Sequence, residues 1–182
     1  MRHRRRAARV LVIDPDGSTF LFRYDDAEIG RHWAMPGGGL ERGESARQAA
    51  QRELREETGW TDVDVGPLLW IWEHDFTRFE VPTRQRDEIY LGRGPRRDPE
   101  GDLARSHADD EILEWRWWSL TELSATEEPM WPPSLAELVQ QLRKAGPPVK
   151  PIDLGYVGLS PPSQTTRPVN REDTVRERRG PA

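Results

Sequence analysis

The sequence predicts an α/β (α+β) domain, and three observations carry that expectation. An apolar run over residues 10–13 is followed by turn chemistry and a second β-patterned run. A helical segment over residues 46–58 has a polar start signal before it and a glycine after it. Further β-patterned segments and a second amphipathic helix complete the alternation.

Taken in order, residues 2–6 (Arg2-His3-Arg4-Arg5-Arg6) read as a basic, mobile arm and residues 7–14 as a buried strand. The turn Asp14-Pro15-Asp16-Gly17 leads into a strand over residues 19–24, so the pair predicts a hairpin. Residues 33–35 form a short extended piece, broken by Pro36-Gly37-Gly38-Gly39. Ser45 is an N-cap with Gln48 at the capping-box position, and Gly59 supplies a left-handed stop. Strands are expected over residues 62–72 and 86–92, with a polar connection, residues 73–85, that either extends them or loops out. Residues 94–110 read as a long surface loop and residues 115–118 as an aromatic strand, followed by a helical turn. Ser134 with Glu137 predicts a second capping box, opening a helix with Leu135, Leu138, Val139 and Leu142 on one face. The expected organisation is therefore an arm (1–6), one domain (7–146) and a Pro-rich, disordered tail (147–182), apolar periodicity fading from Pro147 and disorder being plainest over residues 160–182.

Bulk properties narrow the function. The chain has 182 residues and a net charge of -5, which argues against a general nucleic-acid coat protein. It contains no cysteine, so disulfide frameworks and thiolate zinc sites are excluded. The apolar run at residues 10–13 ends at Asp14, too short for an export-signal core, and no segment approaches a membrane span. A cytoplasmic protein with no membrane partner is expected.

The chemistry concentrates on the first helix. Glu53, Glu56 and Glu57 stand at i, i+3 and i+4, which places three carboxylates within one arc. The stripe begun by Ala46, Ala49 and Ala50 runs straight into Glu53 and Glu57. Like charges so spaced destabilise an isolated helix by a few tenths, roughly, of a kcal/mol, so something must compensate. Arg52, four before Glu56, is one answer; a hard divalent cation, which takes carboxylate oxygens, is the stronger one. The bland alternative is a solvated helix laced with Glu–Arg pairs. It loses force because Gly38, Glu44, Arg52, Glu53, Glu56, Glu57 and Gly59 all fall at fixed spacing. With each type at a background near about 6%, and two apolar positions besides, the chance of this is on the order of one in a million or rarer.

That spacing, G-x5-E-x7-R-E-U-x-E-E-x-G-U with U apolar, resembles the signature of the MutT/Nudix hydrolase family, and every position from Gly38 to Trp60 meets it. Trp60 replaces the smaller aliphatic more usual at the last site. The resemblance implies an α/β/α sandwich around a mixed sheet, and Mg2+-dependent (Mn2+ may substitute) hydrolysis of a diphosphate bond by water attack on phosphorus. The substrate class implied is a small-molecule nucleoside diphosphate linked to another moiety. It also implies site roles. Glu53, Glu56 and Glu57 are the expected metal ligands, with Glu111 as a further ligand from the loop before the last strand; Glu88 and Asp110 are alternatives to Glu111. Glu53 is the favoured base, Arg52 orients a neighbouring acid, and Glu44 binds through water or braces the loop. Gly37, Gly38 and Gly39 let the backbone approach the phosphates, and Trp33 borders the substrate or the core.

Two other functions stay open: a catalytically silent nucleotide sensor, and an RNA 5′-end pyrophosphohydrolase using the arginine arm, although nucleic acid is the less expected partner. The protein is expected as a monomer or homodimer. Trp70 and Trp72, on one face of their strand, are assigned to packing, with a base-stacking wall as the alternative. His32, His74 and His107 show no metal-ligand spacing and are read as surface residues, with His107 kept as a possible aid to proton transfer.

Overall fold

A computed structural model describes residues 1–26, 28–101, 103–109 and 111–157. Its frame is a mixed sheet in the order β8-β3-β2-β1-β6-β5-β9, with β4 paired to β1 and β7 to β2. The strands are β1 (His3–Ile13), β2 (Thr19–Asp26), β3 (Gly30–Ala34), β4 (Gly37–Gly39), β5 (Val65–Arg78), β6 (Val81–Arg93), β7 (Ile112–Trp118), β8 (Met130–Trp131) and β9 (Ile152–Tyr156). The helices are α1 (Ala46–Thr58), α2 (Ala104–Asp109), α3 (Leu120–Ala125) and α4 (Leu135–Ala145).

Alternation along β1 explains the layering. Ala8, Val10 and Val12 join one cluster with Phe20, Phe22 and the Ala46–Ala49–Ala50–Leu54 stripe of α1. Leu11 and Ile13, pointing the other way, join a second cluster with Leu135, Leu138, Val139 and Leu142 of α4. Each fully buried aliphatic side chain contributes about 1.5–3 kcal/mol, so both helices are held by their apolar faces. Trp70 and Trp72 are buried in the second cluster, as packing rather than as an open wall.

The first helix begins as expected. Ser45 and Gln48 form the reciprocal capping box, and Gly59 ends the helix at φ 73°. Gly59 is required twice over, since a Cβ there would lie 2.1 Å from the Glu100 carbonyl oxygen. Ser134, by contrast, makes no side-chain cap hydrogen bond; the second box is formed by Ser119 and Glu122 at α3. Trp60 is buried against Phe20 and Trp117 and donates to the Asp98 carbonyl at 3.2 Å, so the large ring pins the loop over residues 94–101.

Two expectations change, for the arm and the tail, and one open alternative, at residues 73–85, is decided. The basic arm is the first part of β1, because residues from His3 onward pair in parallel with β6 from Thr83. Residues 73–85 extend β5 and β6 into one long hairpin. The sheet does not end at residue 146: β9 adds a parallel strand at the β5 edge, pairing Ile152 with Trp70. The expected disorder over residues 160–182 lies outside the described residues, as does Asp110.

Candidate active site

The glycine loop reaches α1 through β4, which lies antiparallel to the start of β1. Gly37 sits at φ 146°, and a Cβ there would approach the Ala8 carbonyl oxygen to 2.2 Å. Only glycine lets this strand press so close. Its N–H donates to Glu57 Oε2 at 2.8 Å, and Glu57 is fully buried. Gly38 lies directly over Glu53: a Cβ would stand 2.5 Å from Glu53 Oε1.

Arg52 is the clasp. Its guanidinium donates to Glu44 Oε1 (3.0 Å), Glu44 Oε2 (3.0 Å), Glu53 Oε1 (2.9 Å), Glu56 Oε2 (3.1 Å) and the Gly39 carbonyl (3.0 Å). These bonds, led by that to Glu44, raise the arginine's pKa and lower that of Glu44. Glu44 also accepts from the Glu41 N–H, so it braces the loop. Glu53 is 8% exposed and Glu57 0%, whereas the Glu56 side chain is about half exposed. Glu53 and Glu57 therefore point inward, while Glu56 reaches solvent.

Whether these residues suit a divalent metal can be judged from their donors. Among the described residues no three acidic or imidazole side chains converge in a closed metal shell. Arg52 gathers Glu53 and Glu56, while Glu57 turns to the Gly37 N–H. The donor set is nonetheless all hard oxygen, with two buried carboxylates packed on a glycine backbone, and so it fits a hard ion.

Beside the loop opens a cleft bordered by Gly37, Gly38 and residues of β1, β2, β5 and β6. Arg5 borders it, lying on Gly39 and donating to Gln85. Among the described residues Arg5 makes no ion pair, and burial, with the nearby Arg78 charge, pushes its pKa down to about 10. Arg9 donates to Asp87 Oδ1 at 3.0 Å and to the Met35 carbonyl at 2.8 Å. Asp87 is fully buried and also binds His74 Nε2 at 2.6 Å and the Gln85 amide. Burial would raise its pKa, but Arg9 and the hydrogen bonds from His74 and Gln85 hold it well below the usual carboxylate range.

Other sequence-derived candidates fall in different places. Glu111 is exposed at φ 57° on the rim of the same cleft, its carbonyl accepting from the Asp25 N–H at 3.3 Å. Glu88 accepts from Arg6 and Tyr90 instead. Trp33 is 4% exposed in the core, its Nε1–H donating to Glu128 at 2.7 Å; it borders the core, not the cleft. His32 and His74 are buried rather than on the surface, because their strands are paired on both sides and Trp131 packs on both rings. His107 is half-buried behind α1, with Nε2 2.8 Å from the Glu57 carbonyl. Sequence reading weighed Arg5 only as part of the basic arm and His74 only as a surface residue, and it missed Arg9 and Asp87. The available signal was the period-two alternation of Arg5, Ala7, Arg9 and Leu11.

Known proteins resemble this chain in sequence and in fold. The chain is 28% identical over 130 residues to an RNA pyrophosphohydrolase of Erythrobacter litoralis, covering 65% of this chain and 78% of that one. It is 32% identical over 123 residues to an RNA pyrophosphohydrolase of Dinoroseobacter shibae, covering 62% and 75%. The solved structure of a MutT protein from Methanosarcina mazei superposes with a TM-score of 0.58 at 20% identity, over 79% of this chain and 95% of that one. The sequence profile of the NUDIX domain matches residues 3–142, and with the glycine loop and acidic helix in place the chain belongs to the Nudix hydrolase family.

Proposed function

We propose that this Nudix hydrolase splits the diphosphate bond of a nucleoside diphosphate joined to a further group, with the reacting phosphates lying between α1 and Arg5. One observation carries the reading: buried Glu53 and Glu57 pack on Gly37 and Gly38 at the edge of a cleft that also holds a partly buried arginine without an acid partner among the described residues. A buried, unpaired cation is costly unless an anion completes it, and a diphosphate does so.

Nudix hydrolases generally use a divalent metal. Here Glu53, Glu56 and Glu57 would hold it, magnesium first and manganese as a substitute, with Glu111 as the outlying candidate. Such an ion supplies charge neutralisation at the phosphate oxygens and a more acidic attacking water. The remaining work falls to the chain itself. Glu53 takes the proton of the attacking water, Arg52 fixes that carboxylate in place, and Glu44 holds Arg52 against the Gly39 carbonyl. Gly37, Gly38 and Gly39 keep the approach to the phosphates free of side chains.

The test is product release from a panel of nucleoside diphosphate derivatives, with magnesium and with excess chelator. Turnover should need the metal, and Glu57→Gln should lower kcat by roughly a thousandfold with an unchanged fold, since glutamine still accepts from the Gly37 N–H. Full activity in that variant or in chelator rejects the mechanism. No turnover by the wild type, with nucleotide still bound, would make the chain a sensor instead.

A second reading follows from the relatives named RNA pyrophosphohydrolase. Cleavage of a 5′-triphosphate RNA at a rate above that of free nucleotides, with binding that weakens steeply in salt, would select it.

A further inference from the structure

The β5–β6 hairpin turns through two residues, Phe79 and Glu80, since Arg78 pairs with Val81. Both central residues have positive φ, 46° and 63°. Turns of this kind favour Asn-Gly, because a side chain at positive φ crowds its own backbone. Phenylalanine is a poor choice here on local grounds, and burial does not recover the strain: Phe79 is 68% exposed. The ring nevertheless has a defined setting. The Arg78 guanidinium stands 4.5 Å from its centroid, and both residues border the same cleft as Gly37, Gly38 and Arg5. Trp131, itself tilted against His32 and edge-on to His74, borders that cleft too.

A cleft with phosphate-binding features at one part and unspent aromatic surface at another suits a ligand with the same two parts. We propose that the tip of the β5–β6 hairpin is the nucleobase subsite, with the Phe79 ring stacking on the base of the substrate. This rests on the nucleoside-diphosphate reading above and adds a specificity-determining residue to it. A flat apolar ring strained into the open has little use in the folded chain alone, whereas base–aromatic stacking accepts any heterocycle with a π face. Arg78, over the same ring, would lie within reach of the substrate as well.

The experiment compares wild type, Phe79→Gly and Phe79→Trp by calorimetric titration with ADP, GDP, CDP and UDP, and with inorganic pyrophosphate as the base-free probe. Melting temperature and oligomeric state are measured alongside. Glycine relieves the positive-φ strain, so Phe79→Gly should melt no lower than wild type. It should bind the nucleotides about tenfold more weakly while pyrophosphate affinity stays the same, and Phe79→Trp should keep nucleotide affinity. Unchanged nucleotide affinity in Phe79→Gly overturns the proposal, as does an equal loss for pyrophosphate. So does a change from dimer to monomer without loss of nucleotide binding, which would assign the ring to a second copy. Failure of the parent reading looks different: wild type would then hydrolyse none of the diphosphate panel, whatever Phe79 does.

Discussion

The acidic segment and the cleft wall meet at the glycine loop, but they are held together by different means. Glu44, Arg52, Glu53, Glu56 and Glu57 come from one loop and one helix, and their mutual bonds span at most eight residues. Arg9, His74, Gln85 and Asp87 come from three strands and are joined by bonds that span up to 78 residues. In the first region Arg52 and Glu56 are partly solvated, Glu53 and Glu57 are buried against the glycine loop, and the helix packs on the sheet by its alanine stripe. In the second, the charges are buried within the sheet itself. Damage to the first should therefore appear as lost chemistry, and damage to the second as lost stability.

The largest stability effect is expected at Asp87. Asp87→Ala leaves Arg9 and His74 without their shared acceptor, and breaking a buried pair in this way costs roughly 3–5 kcal/mol. Denaturant unfolding checks it. A loss below about 1 kcal/mol would mean that the buried network contributes little to stability and that the contrast between the two regions is false.

Acid should expose the same contrast. Burial, the leading cause, pushes His32 down to about 4 from its usual 6.5. The unfolded chain then binds a proton that the folded one refuses, so stability is intact above about pH 6.5 and falls as pH drops towards 4. The full span is worth up to about 3 kcal/mol. Asp87, held low, acts with the same sign at lower pH: its contribution persists above the unfolded carboxylate value and is lost as pH falls towards its folded one. His32→Phe keeps a ring against Trp131 and should flatten the curve between pH 6.5 and 4 only. An unchanged slope in that window would refute the assignment.

Arg5 sharpens the comparison because its two effects should have opposite signs. Arg5→Gln removes a partly buried cation that has no ion pair among the described residues, so the melting temperature should hold or rise. The same change should raise KM for a diphosphate substrate by about tenfold with a smaller effect on kcat. A variant that loses stability and keeps KM would make Arg5 a structural residue.

These differences also set what could be read from the chain. Ser45, Gln48, Arg52, Glu56 and Gly59 act on neighbours a few residues away, so spacing alone revealed the helix, its ends and its acidic arc. The strand character of residues 3–6 comes from pairing with residues 83–86, a partner that no local pattern announces, and so the arginines read as an arm. Likewise β9 joins the sheet through β5, some eighty residues earlier, with few buried side chains to betray it. Trp33 follows buried His32 in β3, where both faces are covered, and the alternation that would have separated core from cleft is absent.

The smallest effect tests how far local signals can be trusted. Three serines precede helices with a glutamine or glutamate three residues on, Ser45, Ser119 and Ser134, and spacing treats them alike. Ser45 and Ser119 are bonded: at Ser45 the hydroxyl accepts from the Gln48 N–H while the Gln48 side chain accepts from the Ser45 N–H, and Ser119 pairs with Glu122 in the same way. Ser134, at ψ 17°, has left the extended conformation a cap needs, and its side chain makes no cap bond. The turn at Trp131–Pro132 feeds α4 directly, with the Leu135 N–H donating to the Pro132 carbonyl at 3.0 Å, so another group already satisfies that helix end. Ser45→Ala should therefore cost about 1 kcal/mol and Ser134→Ala close to none. Equal losses at the two positions, measured in one denaturant series, would show that α4 is capped after all and that its start was legible from spacing.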